Sequence, residues 1–355
     1  MKVLYLTKYS RNGASSRLRS YQYFSYLENE GIIVTVKPFF NENYLKQLYA
    51  KNKLSKLVLT QFYFKRFTVL FSIFRYEIIV IEKEIFPYFF SWFERLFFLL
   101  NIKYIVDYDD AIFHNYDLNT NKLVRFFLKN KIETVMKCST CVLTGNNYLA
   151  AKAKQSGALK IVDFPTVIDI KNYTPKHYGK LKNKVVIGWI GSPTTFKYVK
   201  NIAPLLSRLY ELHPFELHII GAEERLDFIG TVKYPKWSEQ NEVTLLSNID
   251  IGIMPLEDTL WEQGKCAYKL IQYMGCGLPV VASSIGMNKE VIEDNRNGFL
   301  VNNDNDWIEK LSVLIKNARL RKEFGEAGRK KIELEFSLEL NAQKLIPLLK
   351  DVSRK

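Results

Sequence analysis

Short apolar, β-branched runs alternate along this chain with longer stretches whose apolar residues recur at helical spacing. The first run, KVLYLTKY (2–9), is followed by the loop SRNGASS (10–16), a helix to Glu30 closed by Gly31, and a strand over 32–40. Strands at 76–81, 103–106, 140–144 and 160–163 come next, with helices predicted at 119–137 and 147–156. A second series opens with a strand at 184–190, a helix from about Phe196 and a strand at 216–220. The segment 231–237 and a helix to about Ser247 lead to strands at 249–254 and 278–282. Helices at 304–318, 320–335 and 337–352 finish the chain. Strands alternating with helices predict parallel sheets covered on both faces, an α/β architecture. The polar stretch 166–184, TVIDIKNYTPKHYGKLKNK, has the composition of a linker between two such domains.

Candidate chemistry concentrates at 249–283, IDIGIMPLEDTLWEQGKCAYKLIQYMGCGLPVVAS, which reads as strand, loop, helix and strand. The helix, predicted over 265–276, stops at Gly277 and Pro279. Lys265, Lys269 and Gln272 fall at i, i+4 and i+7 and so share one face. Helices of an open parallel sheet start at the carboxyl ends of strands, where free N–H groups and the helix dipole attract anions. In the same way GSPTT (191–195), directly after a strand, offers Gly191, Ser192 and Thr194 to a diphosphate.

The run CAYKLIQYMGCGLPVVASSIGMNKEVIEDNRNGFLV (266–301) resembles the carboxyl-terminal signature of glycosyltransferase family 4, the group 1 transferases. The resemblance is dense over about 184–301 and looser before it. It implies a GT-B fold, two Rossmann-like doubly wound domains facing each other across a cleft. These would be an acceptor domain over 1–165 and, beyond the linker at 166–184, a nucleotide-sugar domain over 185–335. A last helix within 336–355 would return to the first domain. The family places two glutamates, spaced E-x7-E, on the donor. Here the second position is Gln272, which can still bond a ribose hydroxyl, and the first is Gly264. The sugar contact then falls to backbone amides from Gly264 to Cys266 or to Glu262. The family's Arg has Trp189 in its place, and Lys197 approximates its downstream Lys.

In the first domain the resemblance turns the Gly13 loop toward the cleft, with Arg17 and Arg19 on the next helix and Arg17 within reach of a phosphate. Glu82 and Glu84 (EKE, 82–84) and Asp109 and Asp110 (DYDD, 107–110) follow strands, hence share that edge. Glu82 or Glu84 could bind acceptor hydroxyls and Asp109 or Asp110 could orient the acceptor or act as a base, with His114 secondary; helix capping is the competing reading for the aspartates. The spelling D-x-D in DYDD lies in the acceptor half, so no metal and no cofactor beyond the nucleotide-sugar is expected. Charge stabilisation is assigned to Lys265, Lys269 and amides near Ser192 and Cys266.

Composition adds two things. The net charge of +14 is carried by residues 1–180, with 27 Lys and Arg against 14 Asp and Glu, while the remainder has 24 against 23. Basic residues mix with aromatic ones over 41–75, including Lys51 and Lys53, and again over EIFPYFFSWFERLFFLLNIK (84–103), a pattern suited to a membrane interface. The four cysteines suggest neither a zinc site nor disulfides, Cys138 and Cys141 reading as small apolar residues. No apolar run is long enough to span a bilayer and the N-terminus has no signal pattern, which places the chain in the cytoplasm with peripheral contact at the inner membrane face. Nucleic acid is not an expected partner, because no recognition pattern accompanies the charge. The function expected is retaining transfer from a nucleotide-sugar to a glycan or lipid-linked acceptor in surface polysaccharide synthesis. A catalytically weak nucleotide-binding partner and a GT-B epimerase are the alternatives.

Overall fold

The computed structural model describes residues 1–49, 55–178 and 184–354. Lys51, Lys53 and the 179–183 part of the predicted linker lie outside the described residues. The chain divides into two compact units. Unit 1 comprises Met1–Thr166, Gly264–Cys266 and Leu338–Lys355, and unit 2 comprises Val167–Gln263 and Ala267–Ser337.

Unit 1 holds β1 (Lys2–Leu6), β2 (Ile33–Val36), β3 (Ile78–Glu82), β4 (Tyr104–Tyr108), β5 (Cys141–Thr144) and β6 (Ile161–Asp163). They pair in the order β2-β1-β3-β4-β5-β6, every pair parallel. Unit 2 holds β7 (Val186–Ile190), β8 (Glu216–Ile220), β9 (Thr231–Lys233), β10 (Ile251–Met254), β11 (Val280–Ser283) and β12 (Gly298–Val301). Its order, β12-β11-β10-β7-β8-β9, is again all parallel and is the classic Rossmann order. β3, β4, β7, β10 and β11 are buried along their whole length, as central strands covered on both faces must be. In such sheets ligands collect where the strand order reverses. That point is the carboxyl edge of β1 and β3 in unit 1, and of β7 and β10 in unit 2.

Two predicted helices are interrupted and a third starts late. The helix to Glu30 is Ala14–Arg19 and Phe24–Asn29, separated at Ser20 by non-helical backbone and a short 3₁₀ turn. The helix at 119–137 is Lys122–Leu128 and Lys131–Cys138, parted at Asn130. The helix predicted from Lys265 begins only at Tyr268, because Ala267 sits at φ 49°. Lys265 and Cys266 therefore precede the helix and do not share a face with Lys269. Residues 167–178 pack on unit 2, Ile168 bridging Ser337 and Lys176 pairing with Asp250 at 3.0 Å. In the final helix, Leu338–Arg354, the Asn341 amide donates to the Pro165 carbonyl at 3.0 Å within unit 1.

Arg17 and Arg19 both admit a reading as a solvated pair, but Arg19 is only 3% exposed. Its guanidinium clamps Asp107 at the end of β4 through two bonds, Nε to Oδ2 at 2.9 Å and Nη2 to Oδ1 at 2.5 Å, and donates to the Phe164 carbonyl at 2.6 Å. One side chain thus ties the first helix to β4 and to the segment after β6. Removing one member of a buried pair leaves an uncompensated charge, which costs about 3–5 kcal/mol. Arg19→Met should lower the stability of unit 1 by about that much in urea unfolding, and Arg19→Met with Asp107→Leu should recover a large part. Equal loss in the single and double variants would show that the pair is not what matters.

Candidate functional site

At the switch point of unit 1 the chain leaves β3 through Lys83, which adopts φ 71°. A non-glycine residue there costs about 1–2 kcal/mol, so the surroundings must hold it. Its N–H donates to the Asp107 carbonyl at 3.0 Å. The side chain runs inward, only 4% of the residue being exposed, and its ammonium lies 3.0 Å from Asp109 Oδ1 and 4.0 Å from Asp110 Oδ2. It also donates to Ser15 Oγ at 3.2 Å. Ser15 Oγ in turn is 2.5 Å from Asp109 Oδ2 and 3.1 Å from Glu82 Oε1. Ser16 Oγ donates to Glu82 Oε2 at 2.6 Å, and the Lys8 N–H reaches the same oxygen at 3.0 Å.

This network separates two adjacent carboxylates. Burial alone would raise the Asp109 pKa, but the Lys83 ammonium, the Arg19 guanidinium and the Ser15 hydroxyl outweigh it and hold the group at about 2. For Asp110, burial and the Asp109 charge prevail over Lys83 and Lys265, and its pKa is raised. Neighbouring acids pushed apart in this way are suited to different tasks. Asp109 is a fixed anion, whereas Asp110, with 36% of its side chain exposed, is the one able to accept a proton.

Segment 264–266 belongs to the same unit. Gly264 is buried against Ala111: a Cβ on it would come 2.7 Å from the Ala111 backbone nitrogen. No larger residue fits there without displacing the chain, so the side chain that the resemblance expects at this position is sterically shut out. Cys266 donates its thiol proton to the Asp109 carbonyl at 2.9 Å, and the Asn146 amide donates to the Lys265 carbonyl at 3.0 Å. Lys265 and Cys266 are therefore grouped with the acidic cluster, contrary to their assignment to the donor helix.

Unit 2 gathers its own groups at the switch point. After β7, Gly191 turns beneath Lys269, whose Cε lies 2.9 Å from where a Gly191 Cβ would be, and the Lys269 ammonium sits 5.6 Å from the centre of the Trp189 ring. The Gly191 N–H donates to the Ile220 carbonyl at 3.0 Å, so the loop after β7 is fixed on the end of β8. Ser192 and Thr194 follow with hydroxyls 2.8 Å apart, before the helix Lys197–Leu212. Trp189 is fully buried in β7 and offers only its ring face. Gln272 is 4% exposed, so the predicted polar face of its helix is largely closed.

Several candidates prove to be engaged elsewhere. Glu84 is buried, paired with Lys131, and accepts from the Tyr116 hydroxyl, so its carboxylate is already satisfied. Glu262 is 3% exposed and accepts from Tyr198 and Thr259. Both ring nitrogens of His114 are occupied, Nδ1 by Asp117 and Nε2 by Tyr148, each at 2.8 Å. Lys197 is exposed and lies 3.7 Å from Glu257. Gly13 caps the first helix with its position closed by Tyr9, and Arg17 is half-buried on that helix. The structure thus gathers Glu82, Asp109 and Asp110 in unit 1, and Gly191, Ser192, Thr194 and Lys269 in unit 2. The sequence reading missed Lys83, Ser15 and Ser16. The lysine stands inside the EKE triplet that the reading singled out, and a basic residue flanked by two acids at a strand end was the available signal.

Residues 184–317, which span β7 to the helix after β12, match the family model described as "Glycosyl transferases group 1". Over these residues the chain is similar to the group 1 glycosyltransferases. A poly(ribitol-phosphate) alpha-N-acetylglucosaminyltransferase of Staphylococcus aureus (strain COL) is 27% identical over 220 residues, 56% of this chain and 42% of that one. The chain spans less than half the length of the curated relatives it matches. Among solved structures, sucrose-phosphate synthase from Thermosynechococcus elongatus aligns with TM-score 0.71 at 13% identity over 99% of both chains. HepE of Anabaena, solved with UDP and glucose, aligns with TM-score 0.70 at 15% identity, again over 99% of both. At such identities the likeness shows the fold, and that fold is GT-B.

The electrostatics generate a pH test. Asp109 is held at about 2 against an ordinary 3.8, a difference of about 2 kcal/mol of stability. Because its folded pKa is depressed, that stability is complete above about pH 5 and is lost as pH falls through the ordinary and then the folded value. The stability gap between wild type and Asp109→Asn in urea should be largest near neutrality and narrow on the way from about pH 5 to about pH 3. A gap that stays constant over that range contradicts the assignment.

Proposed function

We propose that the protein is a retaining glycosyltransferase that moves a sugar from a nucleotide-sugar to a glycan or lipid-linked acceptor in surface polysaccharide assembly. The observation that carries this reading is the crevice of unit 2, where Lys269 closes over the Gly191 turn at the carboxyl end of β7. It falls inside the matched residues 184–317. In transfer, the bond from the anomeric carbon to the β-phosphate oxygen breaks and a bond to the acceptor oxygen forms. The leaving diphosphate gains negative charge while the sugar becomes cation-like. In this reading the Lys269 ammonium and the hydroxyls and N–H groups of Ser192 and Thr194 meet that charge, with no metal required. The stacked indole of Trp189 sets the direction of the ammonium.

Unit 1 supplies the acceptor side. Asp110, with its raised pKa and partial exposure, takes the proton of the acceptor hydroxyl as the new bond forms, and Asp109 holds Lys83 and Ser15 in place behind it. Retention rests on the family resemblance. The acceptor class is supported by the S. aureus relative, whose name describes N-acetylglucosamine transfer to poly(ribitol-phosphate), and the donor class by the UDP and glucose named with HepE. One observation favours a second reading, a nucleotide-binding partner with weak activity: Gly264 is packed so closely on Ala111 that it excludes the family's glutamate.

A panel of nucleotide-sugars in thermal-shift and transfer assays separates the two. One nucleotide family should stabilise the wild type, and Lys269→Ala should lower turnover by about 10²–10³ with the apo melting temperature retained. Stabilisation without turnover under any acceptor would favour the second reading. No stabilisation by any nucleotide would remove the donor assignment.

A further inference from the structure

Unit 1 carries a surface that neither crevice uses. The helix Lys56–Leu70 turns Phe62 and Leu70 into the core and yet presents Phe64 and Phe67 outward, so apolar side chains occupy both of its faces. From its end an unbroken series of ring contacts runs across the surface. Phe71 meets Phe67 at 5.3 Å between centroids, and Phe67 meets Phe93 on the helix Trp92–Leu99 at 6.0 Å. Phe93 reaches Phe89 at 6.5 Å, and Phe89 reaches Trp92 at 5.5 Å. Trp92 stacks on Phe90 at 4.9 Å, and Phe90 reaches Phe127 of the helix Lys122–Leu128 at 6.3 Å, with Phe126 a further 5.0 Å on. Most of the series is open to solvent, Phe89 and Phe93 at its middle being half-buried: Phe71 and Phe126 are each 74% exposed and Trp92 is 61% exposed. A contiguous apolar patch of this kind marks an interaction face, whereas scattered exposed rings would not.

The charge around it selects the occupant. Over 55–75, 88–100 and 118–130 the sequence has a single carboxylate, Glu94, and that residue is 1% exposed. The same segments expose Lys56, Lys65, Arg75, Arg95, Arg125 and Lys129. An apolar aromatic centre within a cationic surround complements a bilayer with anionic head groups, the rings entering the interface and the cations meeting phosphates. A second copy of the chain docked through the same face would set like charges against each other. Among the described residues no helix is long and apolar enough to cross a membrane, so the contact is one of lying on the surface.

We infer that this ring series in unit 1 docks the protein on an anionic lipid bilayer. The inference does not depend on the donor or acceptor assignments. Vesicle co-sedimentation tests it, with phosphatidylcholine alone and with roughly a third phosphatidylglycerol added. The wild type should bind the anionic vesicles at least about tenfold more tightly. The triple variant Phe71→Gln, Trp92→Gln, Phe126→Gln should lose at least about tenfold in affinity for them, with the melting temperature and its response to nucleotide-sugars unchanged. Arg75→Glu with Arg125→Glu should abolish the preference for anionic over neutral vesicles. A wild type that stays in solution with both compositions overturns the inference. So does a triple variant that binds as the wild type does, or a wild-type dimer that the triple variant converts to monomer.

Discussion

The buried ammonium of Lys83 is the constraint on which the carboxyl edge of unit 1 depends. Glu82, Asp109 and Asp110 converge on one point of the sheet, and carboxylates that close cannot all stay ionised without a cation among them. Lys83 reaches that point because the backbone leaves β3 in a left-handed turn, and the turn persists because Asp107 accepts its N–H. Arg19 neutralises the fourth acid from the other side, so β3, β4 and the first helix are locked to one another by charge. The local backbone strain is small beside the electrostatic cost it relieves.

Unit 2 solves a different problem at the equivalent place. An anionic ligand at the end of β7 needs backbone and small hydroxyls brought close, with one cation aimed from the side. Gly191 provides the close approach, β8 anchors its N–H, and the indole of Trp189 carries Lys269. Both crevices lie where the strand order reverses. One is a buried, self-compensated cluster, and the other is a frame of small polar groups beside Lys269. The aromatic surface of unit 1 is a third kind of site, in which neither hydrogen bonding nor compensated charge is at work but apolar area edged by cations.

The contrast between Glu82 and Glu84 shows where local reasoning ends. Two residues apart after the same strand, they have the same chemistry on paper. Glu82 joins the cluster through Ser15 and Ser16, while Glu84 is taken up by Lys131, 47 residues further on. Glu262 is likewise removed from candidacy by Tyr198, 64 residues before it. The i, i+4 spacing of Lys265 and Lys269 predicts one shared helix face, and a single left-handed residue, Ala267, takes Lys265 off that helix.

The sequence by itself determined the strands other than β12, most of the helices, the two-unit α/β organisation and the resemblance of residues 184–317 to the group 1 glycosyltransferases. These rest on hydrophobic period, on glycine and proline punctuation and on a contiguous motif, all of which act between near neighbours. It also marked the basic aromatic character of the first half. The tertiary structure alone decided which acids meet, that Lys83 is buried among them, that Gly264 abuts Ala111, and that rings from three separate segments join into one surface. Those outcomes depend on which distant side chains the folded sheet brings within a few ångströms, where Coulomb and steric energies become large, and no local period in the chain encodes that.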